Sequence, residues 1–425
     1  MKFSARALLA LVLTLGLAVP GTVFATNGMF LIGYGPSSRA MGGVAIAFPQ
    51  DALVGAVNPA GIHEVGNRFD ISTDFFVPIA KSRLGSLEKK SSANRFMIPA
   101  FGFIMKFNSK MSFGMSGVGA GGGGSRYNKN LYNNLTGSDV NKTVGVNMMD
   151  MQMNPTAAYA VTRNQTVGAS IVMSVSTFRA FGLSYFSNFT STGLFTDGLT
   201  NNGNDFSYGG GVRLGWIGQF FKKRLTLGAT GTSRVYMRPF RKYDDLFAEQ
   251  GGFDTPPVYG VGAAVKLHKK LTMAVDVTRT LYKDINSIGN SGPEPGPGSV
   301  FPVSQAVNSL GADEGLGFDW KNQTMYKLGF AYDHNKRWTF RAGWNYGKSP
   351  IPSDSGAILF NIVAPATVQN HATFGFSYKP SKVSEVGFSY VHAFEHKQSG
   401  PTFIGSTGEI GMYQNALGIS YGLQL

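Results

Sequence analysis

The sequence lacks cysteine altogether, and only 15% of its 425 residues are charged. Without cysteine, the chain has neither a disulfide-stapled scaffold nor a thiolate metal site. A long apolar run is also missing, because the best candidate, residues 7–20, falls short of the roughly 20 residues that a membrane-spanning helix needs. The composition therefore excludes a helical membrane protein.

Acidic residues are scarce as well, with 24 against 38 lysines and arginines, which gives a formal net charge of +14. A basic chain is a candidate for nucleic-acid binding, but such binding needs basic residues clustered on one surface. Here they are scattered along the chain and often fall at predicted turns. The charge pattern therefore does not favour a nucleic-acid partner.

Glycine is abundant, with 56 residues, and aromatic residues make up 13% of the chain. Many short strands with glycine turns and aromatic girdles have this profile. The first 25 residues are typical of a secretory signal peptide, with Lys2 and Arg6, an apolar core, and Val23-Phe24-Ala25 before the predicted cleavage point. A short membrane anchor is the alternative.

Fourteen segments alternate apolar and polar residues, as a β-strand does when its two faces meet different surroundings. In the first segment, Phe69 and Ile71 alternate with Asp70 and Ser72. The predicted strands are residues 68–77, 96–107, 111–120, 148–161, 165–178, 205–221, 224–235, 256–267, 271–282, 322–333, 337–346, 366–378, 384–395 and 410–425.

Connections between these segments alternate between short turns, such as 108–110 and 162–165, and long loops, such as 121–147 and 283–321. We also predict loops at 78–95 and 396–409. This alternation, with an even number of strands, is the layout of an outer-membrane barrel. A sheet of this size closes around a lumen too wide for its own side chains to fill, so its apolar face points to lipid.

The predicted fold is therefore an all-β membrane protein, an antiparallel transmembrane β-barrel of about 14 strands over residues 68–425. A soluble β-sandwich or propeller is the alternative. Residues 26–67 do not fit the strand pattern, although they are apolar and rich in small residues. Both ends of the barrel fall on the periplasmic side, so this segment can enter the lumen, and we expect it to form a plug, or hatch.

Asn58-Pro59-Ala60 is predicted to fix the hatch to the barrel wall. An asparagine amide can hydrogen-bond two backbone segments at once, here the hatch and the wall. A simple turn is the alternative, because Asn and Pro both favour turns. Arg39 and Asp51 are further candidates for contact with the polar inner wall, where Arg213, Arg341 and Asp276 offer charges without an assignable pairing.

Several motifs stand near the predicted mature start, and two occur farther on. They are Asn27-Gly-Met-Phe30, Gly33-Tyr-Gly35, Ser38-Arg-Ala-Met-Gly-Gly43, Asp51-Ala52, Asn58-Pro-Ala-Gly61, Arg341-Ala-Gly343 and Ser349-Pro-Ile-Pro352. With them the chain resembles the FadL/TodX family of outer-membrane transporters for long-chain fatty acids and other hydrophobic compounds. The last residue, Leu425, departs from the aromatic residue that usually ends such barrels.

The resemblance implies a passive route without covalent chemistry. A ligand is captured at the outer loops, moves to a site at the N-terminus of the hatch, and leaves through a gap at a kink in the third strand. Carried over by position, the ligand-binding residues are Thr26, Asn27, Met29, Phe30 and Leu31. The kink would involve Gly117, Gly119, Gly121 and Gly122, and the latch would include Gly42, Gly43 and Asp51 besides Asn58, Pro59 and Ala60.

Glycine suits a kink, because it permits the bulged geometry that interrupts a ladder. A flexible loop start is the alternative for this run.

Three short enzyme motifs lack the structural context that they need. Residues 119–124 match G-x-G-x-x-G without a following helix, 392–396 match H-x-x-E-H within a strand pattern, and 418–422 match G-x-S-x-G at the end of the chain.

We therefore expect a non-enzymatic transporter in the bacterial outer membrane, most simply a monomer in contact with membrane lipid and lipopolysaccharide. Its partner would be a hydrophobic small molecule, a long-chain fatty acid first and an aromatic or aliphatic hydrocarbon as the alternative. No metal or other cofactor is expected. An outer-membrane lipid hydrolase and an open porin are hypotheses of other classes, tested by esterase activity and by ion conductance.

Overall fold

The structure is a computed structural model that describes residues 27–133, 142–191, 197–293, 309–353, 355–401 and 407–425. The predicted signal peptide, residues 1–25, and the predicted ligand contact Thr26 lie outside the described residues.

Fourteen consecutive strands form one antiparallel sheet in the described part of the chain, and its first and last strands pair with each other. The strands are β1 (Arg68–Leu84), β2 (Phe96–Lys106), β3 (Met111–Tyr127), β4 (Val144–Thr162), β5 (Gln165–Phe181), β6 (Asp205–Phe220), β7 (Leu225–Thr232), β8 (Val258–His268), β9 (Leu271–Thr280), β10 (Gln323–Asp333), β11 (Trp338–Gly347), β12 (Asn370–Tyr378), β13 (Ser384–Pro401) and β14 (Thr407–Gln424). The closing ladder runs from Arg68–Gln424 to Leu84–Gly408. The predicted antiparallel barrel of 14 strands is confirmed.

The two faces of the wall differ as the alternation predicts. On β1, Phe75 is 47% exposed, whereas the side chains of Asp70, Ser72 and Asp74 turn inward and are buried. A barrel in lipid needs an apolar outer band and tolerates a polar lumen. The polar lumen then needs partners, because a buried polar group without a hydrogen bond costs free energy.

Helices are short. The hatch contains α1 (Gly35–Arg39), a 3-10 turn at Ala52–Ala56 and α2 (Gly61–Val65). The loops at the opposite end of the barrel contain short helical turns at Ser184–Phe189, Arg241–Tyr243, Ala248–Gly251, Tyr282–Asp284, Asn286–Gly289 and Ser355–Asn361. None of the helices in the described ranges is long and apolar enough to cross a membrane.

Several strands are longer than their alternation predicts. β1 continues to Leu84 and pairs with a short strand at Leu87–Lys90, both inside the predicted loop 78–95. β13 reaches Pro401 and β14 begins at Thr407, inside the predicted loop 396–409. Beyond the membrane, a strand is no longer sorted into a lipid face and a lumen face, so its alternation weakens although its ladder continues. A second short strand, Tyr236–Met237, pairs with β6.

The hatch lies inside the barrel, against wall positions that carry no side chain. A Cβ on Gly215 would stand 2.0 Å from the Asn58 Oδ1 atom, and one on Gly343 would stand 2.2 Å from the carbonyl carbon of Met41. Both distances are far below van der Waals contact. A Cβ would stand between 2.5 and 2.9 Å from a hatch atom at six other wall glycines, Gly102, Gly168, Gly228, Gly262, Gly329 and Gly375. These wall glycines therefore make room for the hatch.

Candidate functional site

Asn58 joins the hatch to the wall. Its fully buried side-chain amide donates to the Ile46 carbonyl oxygen of the hatch at 2.8 Å and to the Trp216 carbonyl oxygen of β6 at 3.1 Å. Its Oδ1 atom accepts from the Ala60 amide at 3.1 Å. All the strong hydrogen-bonding capacity of the side chain is thus directed at backbone groups of two separate segments.

The other predicted latch residues lie around Asn58 or at the opposite wall. Pro59 and Ala60 pack against Gly168 of β5. Gly42 donates its amide to the Thr373 hydroxyl of β12 at 2.9 Å. Asp51 differs from the expectation, because its described hydrogen bond, 3.1 Å from the Leu53 amide, lies within the hatch and begins the 3-10 turn.

Gly42 and Gly43 have φ values of +70° and +86°, a region that favours glycine. A Cβ on Gly43 would also stand 1.8 Å from the Ile32 carbonyl oxygen. Both conformation and space therefore require glycine at this turn. The Ile32 carbonyl oxygen accepts from the Lys327 Nζ atom of β10 at 2.9 Å, which ties the turn to the wall.

The charged groups of the inner wall are matched to the hatch. Arg39 of α1 is fully buried and its guanidinium lies 2.6 Å from the carboxylate of Asp74 on β1. Asp276 of β9 accepts from the backbone amides of Ala45 and Ile46 at 2.8 and 3.0 Å. Arg341 of β11 donates to the Gln50 side chain at 2.7 Å. These pairings could not be assigned from the sequence.

The N-terminus of the described hatch is a tight turn held by one tyrosine. Asn27 and Phe30 exchange backbone hydrogen bonds of 2.8 and 3.1 Å. The Tyr282 hydroxyl donates to the Asn27 carbonyl oxygen at 2.9 Å and accepts from the Met29 amide at 3.2 Å. Burial raises the pKa of the Tyr282 phenol, so its proton stays in place for the bond to Asn27.

The third strand is irregular within its glycine run. The register of β3 against β4 shifts between Gly119 and Gly121, which leaves Ala120 without a partner on β4. Beyond this bulge the Gly122 amide donates to the Met29 carbonyl oxygen at 2.9 Å. The hatch N-terminus thus supplies a backbone partner to β3 at the predicted kink.

The wall opens beside the bulge. β2 and β3 pair only as far as Ala100 and Val118, whereas β3 goes on pairing with β4 to its end. Farther out, the Ser92 amide donates to the Arg126 carbonyl oxygen at 2.8 Å and closes the gap at its outer end. We call this interruption of the ladder the window. Its borders are residues 93–99 and 119–125.

Side chains fill the window from inside. Leu31 of the hatch packs in one buried cluster with Phe96 and Ile98 of β2. Met29, two residues earlier, belongs to a different cluster formed with the outer loops. The hatch N-terminus therefore lies between the apolar cluster of the outer loops and the window, and it contacts both.

An apolar cavity lies above the hatch N-terminus, between β3, β4 and the outer loops. Its volume of about 50 Å³ is smaller than the roughly 150 Å³ apolar cavity that accepts benzene in an engineered protein, so side chains must move to admit a ligand. The cavity has no charged or hydrogen-bonding side chain apart from the Trp320 indole. Its lining residues are Met29, Gly122, Gly123, Val146, Met148, Phe178, Phe247, Phe253, Ile288, Phe318, Trp320 and Ala364.

A second cavity, of about 110 Å³, lies on the other side of the hatch N-terminus and is more polar. It is bordered by Phe30 and Leu31 and by two cationic side chains, Arg213 of β6 and Lys327 of β10. In the described ranges neither cation has a carboxylate oxygen within 4.0 Å. The two cavities thus offer an apolar space and a cationic space on either side of one short segment.

The sequence did not reveal the aromatic residues of the first cavity, because Phe178 lies on β5 and the others come from loops far apart in the chain. Phe178 packs against Phe247 at a ring-centroid distance of 4.7 Å with the rings tilted by 60°, and Tyr282 meets Trp320 edge to face at 5.1 Å. The only available signal was the density of aromatic residues in predicted loops. The alternation predicts Tyr282 at the end of a strand, whereas it lies just beyond β9, in the turn Tyr282–Asp284.

The enzyme-like motifs lie in the wall. His392 and His396 are both on β13, where His392 contacts Asn415 and His396 contacts Gln369. Ser420 is on β14, which continues as a strand to Gln424. Across the described residues, no group of three or more acidic or histidine side chains is placed to hold a metal ion.

Three features define a class of protein, the plugged outer-membrane transport channel. They are a closed barrel with charged groups on its inner wall, a segment hydrogen-bonded in the lumen, and an apolar cavity beneath the loops. The chain belongs to the family described as outer membrane protein transport protein (OMPP1/FadL/TodX), whose profile matches residues 31–402. This confirms the predicted family and the location in the bacterial outer membrane. It also identifies a transport protein rather than an enzyme.

Crystal structures of family members share the fold. The P. putida toluene transporter TodX matches with a TM-score of 0.68 at 18% identity, over 93% of this chain and 99% of that chain. The Ralstonia pickettii toluene transporter TbuX gives 0.64 at 18%, over 93% and 99%. A Pseudomonas aeruginosa FadL homologue gives 0.68 at 14%, over 95% and 99%. A comparison with curated proteins found no significant match.

Proposed function

We propose that the protein carries hydrophobic molecules passively across the outer membrane, with long-chain fatty acids as the first substrate class. The observation that supports this most is the apolar cavity, which contacts the hatch at Met29 and the kinked strand at Gly122. An apolar pocket with few polar groups is the usual site for such a ligand. In the proposed route a ligand passes from the loops into this cavity and then to the window.

The gate in this proposal is the N-terminus of the hatch. The Met29 carbonyl oxygen is bound to the Gly122 amide, and Leu31 fills the window. A ligand that enlarges the cavity must displace Met29, and this displacement breaks the contact to β3. The window would then open toward the membrane, so that the ligand leaves sideways into lipid.

The two cavities support a fatty acid in particular. Its alkyl tail would occupy the apolar cavity, and its carboxylate would turn toward Arg213 and Lys327 in the second cavity. A carboxylate is best held by charge-assisted hydrogen bonds of this kind. The placement of the latch at Asn58, Pro59 and Ala60 and of the ligand contacts at Asn27, Met29, Phe30 and Leu31 belongs to the same proposal.

A neutral hydrocarbon is the second candidate. The lining of the first cavity carries no charged side chain, so a molecule without a head group needs nothing further. Two proteins of the same fold, TodX and TbuX, are described as toluene transporters.

The test measures uptake of radiolabelled palmitate and of toluene by cells that lack other channels of this class. We expect Met29→Gln to reduce uptake about tenfold, because an amide buried in an apolar cavity without a partner costs about 1–3 kcal/mol. Met29→Leu is the matched control and should keep wild-type uptake. Palmitate uptake that depends on the protein supports the fatty acid, and toluene uptake alone supports the hydrocarbon. Normal uptake by Met29→Gln would contradict the proposed site.

A further inference from the structure

An arginine-lined cleft lies on the outer surface of the barrel, at the outer end of the window. Arg95, Arg126 and Arg179 line it together with Phe181, and its volume is about 470 Å³. The guanidinium carbons of Arg126 and Arg179 each lie 5.9 Å from the centre of the Phe181 ring. The cleft is larger than either lumen cavity.

Glycines shape the cleft. Gly145 of β4 lies between Arg126 on β3 and Phe181 on β5 in the ladder. Because Gly145 has no side chain, the space between the arginine and the ring stays open. Two rows farther inward, beside Asn147 and Arg179, Gly124 also has no side chain, and a Cβ there would stand 2.1 Å from the Val146 carbonyl oxygen. The cleft therefore results from the backbone course of these strands.

Among the described residues, the three arginines have no acidic partner. Across the described residues no carboxylate oxygen lies within 4.0 Å of any of the three guanidinium groups. The remaining side chains around the cleft are neutral, and they are Ser92, Ala93, Asn94, Phe96, Ser125, Val146 and Asn147. Four of them, the two serines and the two asparagines, can form hydrogen bonds. Three unpaired cations around one concave surface produce a positive potential that attracts an anion.

The height of the cleft indicates where the anion comes from. The outward side chains of β5 are apolar up to Val175, which is 53% exposed, and the next charged outward position is Arg179. On β4 the outward methionines end at Met149, and Asn147 follows. On both strands, therefore, the apolar outward positions end at the same height along the barrel. In a membrane this level is the boundary between acyl chains and head groups.

We propose that the cleft binds a phosphate of the glycolipid head group in the outer leaflet of the outer membrane. Guanidinium groups match phosphate oxygens with paired hydrogen bonds, and three of them suit a doubly charged group better than a single carboxylate. The acyl chains of the same lipid would lie against the apolar band below. A lipid held there stands at the outer edge of the window. This inference does not depend on which molecule the protein transports.

The experiment measures binding of diphosphorylated lipid A to the delipidated full-length protein in detergent. Dephosphorylated lipid A and palmitate serve as the other two probes. The variant replaces the three arginines (Arg95→Gln, Arg126→Gln, Arg179→Gln). The matched control removes the same charge from an exposed turn at the opposite end of the barrel (Lys222→Gln, Lys223→Gln, Arg224→Gln).

We expect affinity for diphosphorylated lipid A to fall at least about tenfold in the cleft variant and to stay unchanged in the control. Dephosphorylated lipid A should bind the wild type as weakly as the diphosphorylated form binds the cleft variant. Equal affinity of cleft variant and wild type would overturn the proposal. Arginine-dependent binding of palmitate without binding of lipid A would also overturn it, in favour of a substrate head group. If the triple variant does not fold, Arg126→Gln alone should still weaken binding measurably.

Discussion

Single polar residues in the lumen bind the hatch to the barrel wall. Asn58 satisfies carbonyl oxygens of both hatch and wall, and Arg39 meets Asp74 in a buried ion pair. Breaking a buried pair of this kind leaves an uncompensated charge, which costs more than the pair itself contributes. The hatch is therefore held at defined points and not merely packed.

We predict that Asn58→Ala loosens the hatch while the barrel stays folded. The substitution removes both hydrogen bonds that the Asn58 amide donates, and each such bond contributes about 0.5–1.5 kcal/mol. Hydrogen exchange of amides in 44–62 should therefore become roughly tenfold faster or more. Asn164→Ala, at an exposed turn, is the control and should leave exchange unchanged. Unaltered exchange in Asn58→Ala would show that this residue is a turn former only.

At the scale of elements, the strands could be predicted from the sequence, whereas the aromatic cavity beneath the loops could not. Alternation located every wall strand, because lipid and lumen impose opposite demands on the two faces. It failed in 78–95 and 396–409, where strands run on beyond the membrane. The aromatic cavity could not be predicted for another reason: Phe178, Phe247 and Trp320 are close only after the barrel has brought β5 and two outer loops together.

The kink in β3 could be predicted only in part. The glycine run of β3 indicated an irregular strand, and the structure places a bulge between Gly119 and Gly121. The sequence contained no sign that the hatch would supply the missing partner through Met29, since pairing between two residues distant in the chain follows from the fold as a whole. The role of the bulge in ligand exit stays a prediction.

A reversible lock across the window tests that role. The Ile98 Cγ2 atom lies 2.5 Å from the point where a Cβ on Gly119 would stand, so Ile98→Cys with Gly119→Cys brings two thiols within bonding range. The chain has no other cysteine to interfere. We expect oxidation to abolish uptake of the hydrophobic substrate and a reductant to restore it.

Each single cysteine variant is the control for the lock and should transport equally in both redox states. Equal uptake by the oxidised and reduced double variant would mean that ligands leave by another path, such as the periplasmic end of the lumen.

At the scale of the whole molecule, wall and hatch are complementary surfaces. Wall glycines such as Gly215 and Gly343 occur where the hatch backbone comes closest, and wall side chains such as Asp276 and Thr373 occur where it has amides to bind. We predict that a lumen filled in this way blocks water, so that the barrel conducts few ions. Low conductance would distinguish the protein from an open porin.

Planar-bilayer recordings provide the measurement. The wild type should show little steady current. Gly343→Val should raise it, because its side chain overlaps the carbonyl of Met41 and overpacking of this kind costs about 1–3 kcal/mol. Gly210→Val on the lipid face, where the nearest atom to an added Cβ is 3.8 Å away, should behave like the wild type. A large current from the wild type would refute the plug.

The hatch is bound around its circumference, to Asp74 on β1, to Trp216 on β6 and to Thr373 on β12. Each of these contacts lies on a different side of the lumen, so the hatch fits the wall only when strands far apart in the chain already stand around it. We therefore expect the ladder between β1 and β14 to form last, around a hatch that is already compact. The short glycine-rich segment would then guide the closure of the barrel during biogenesis.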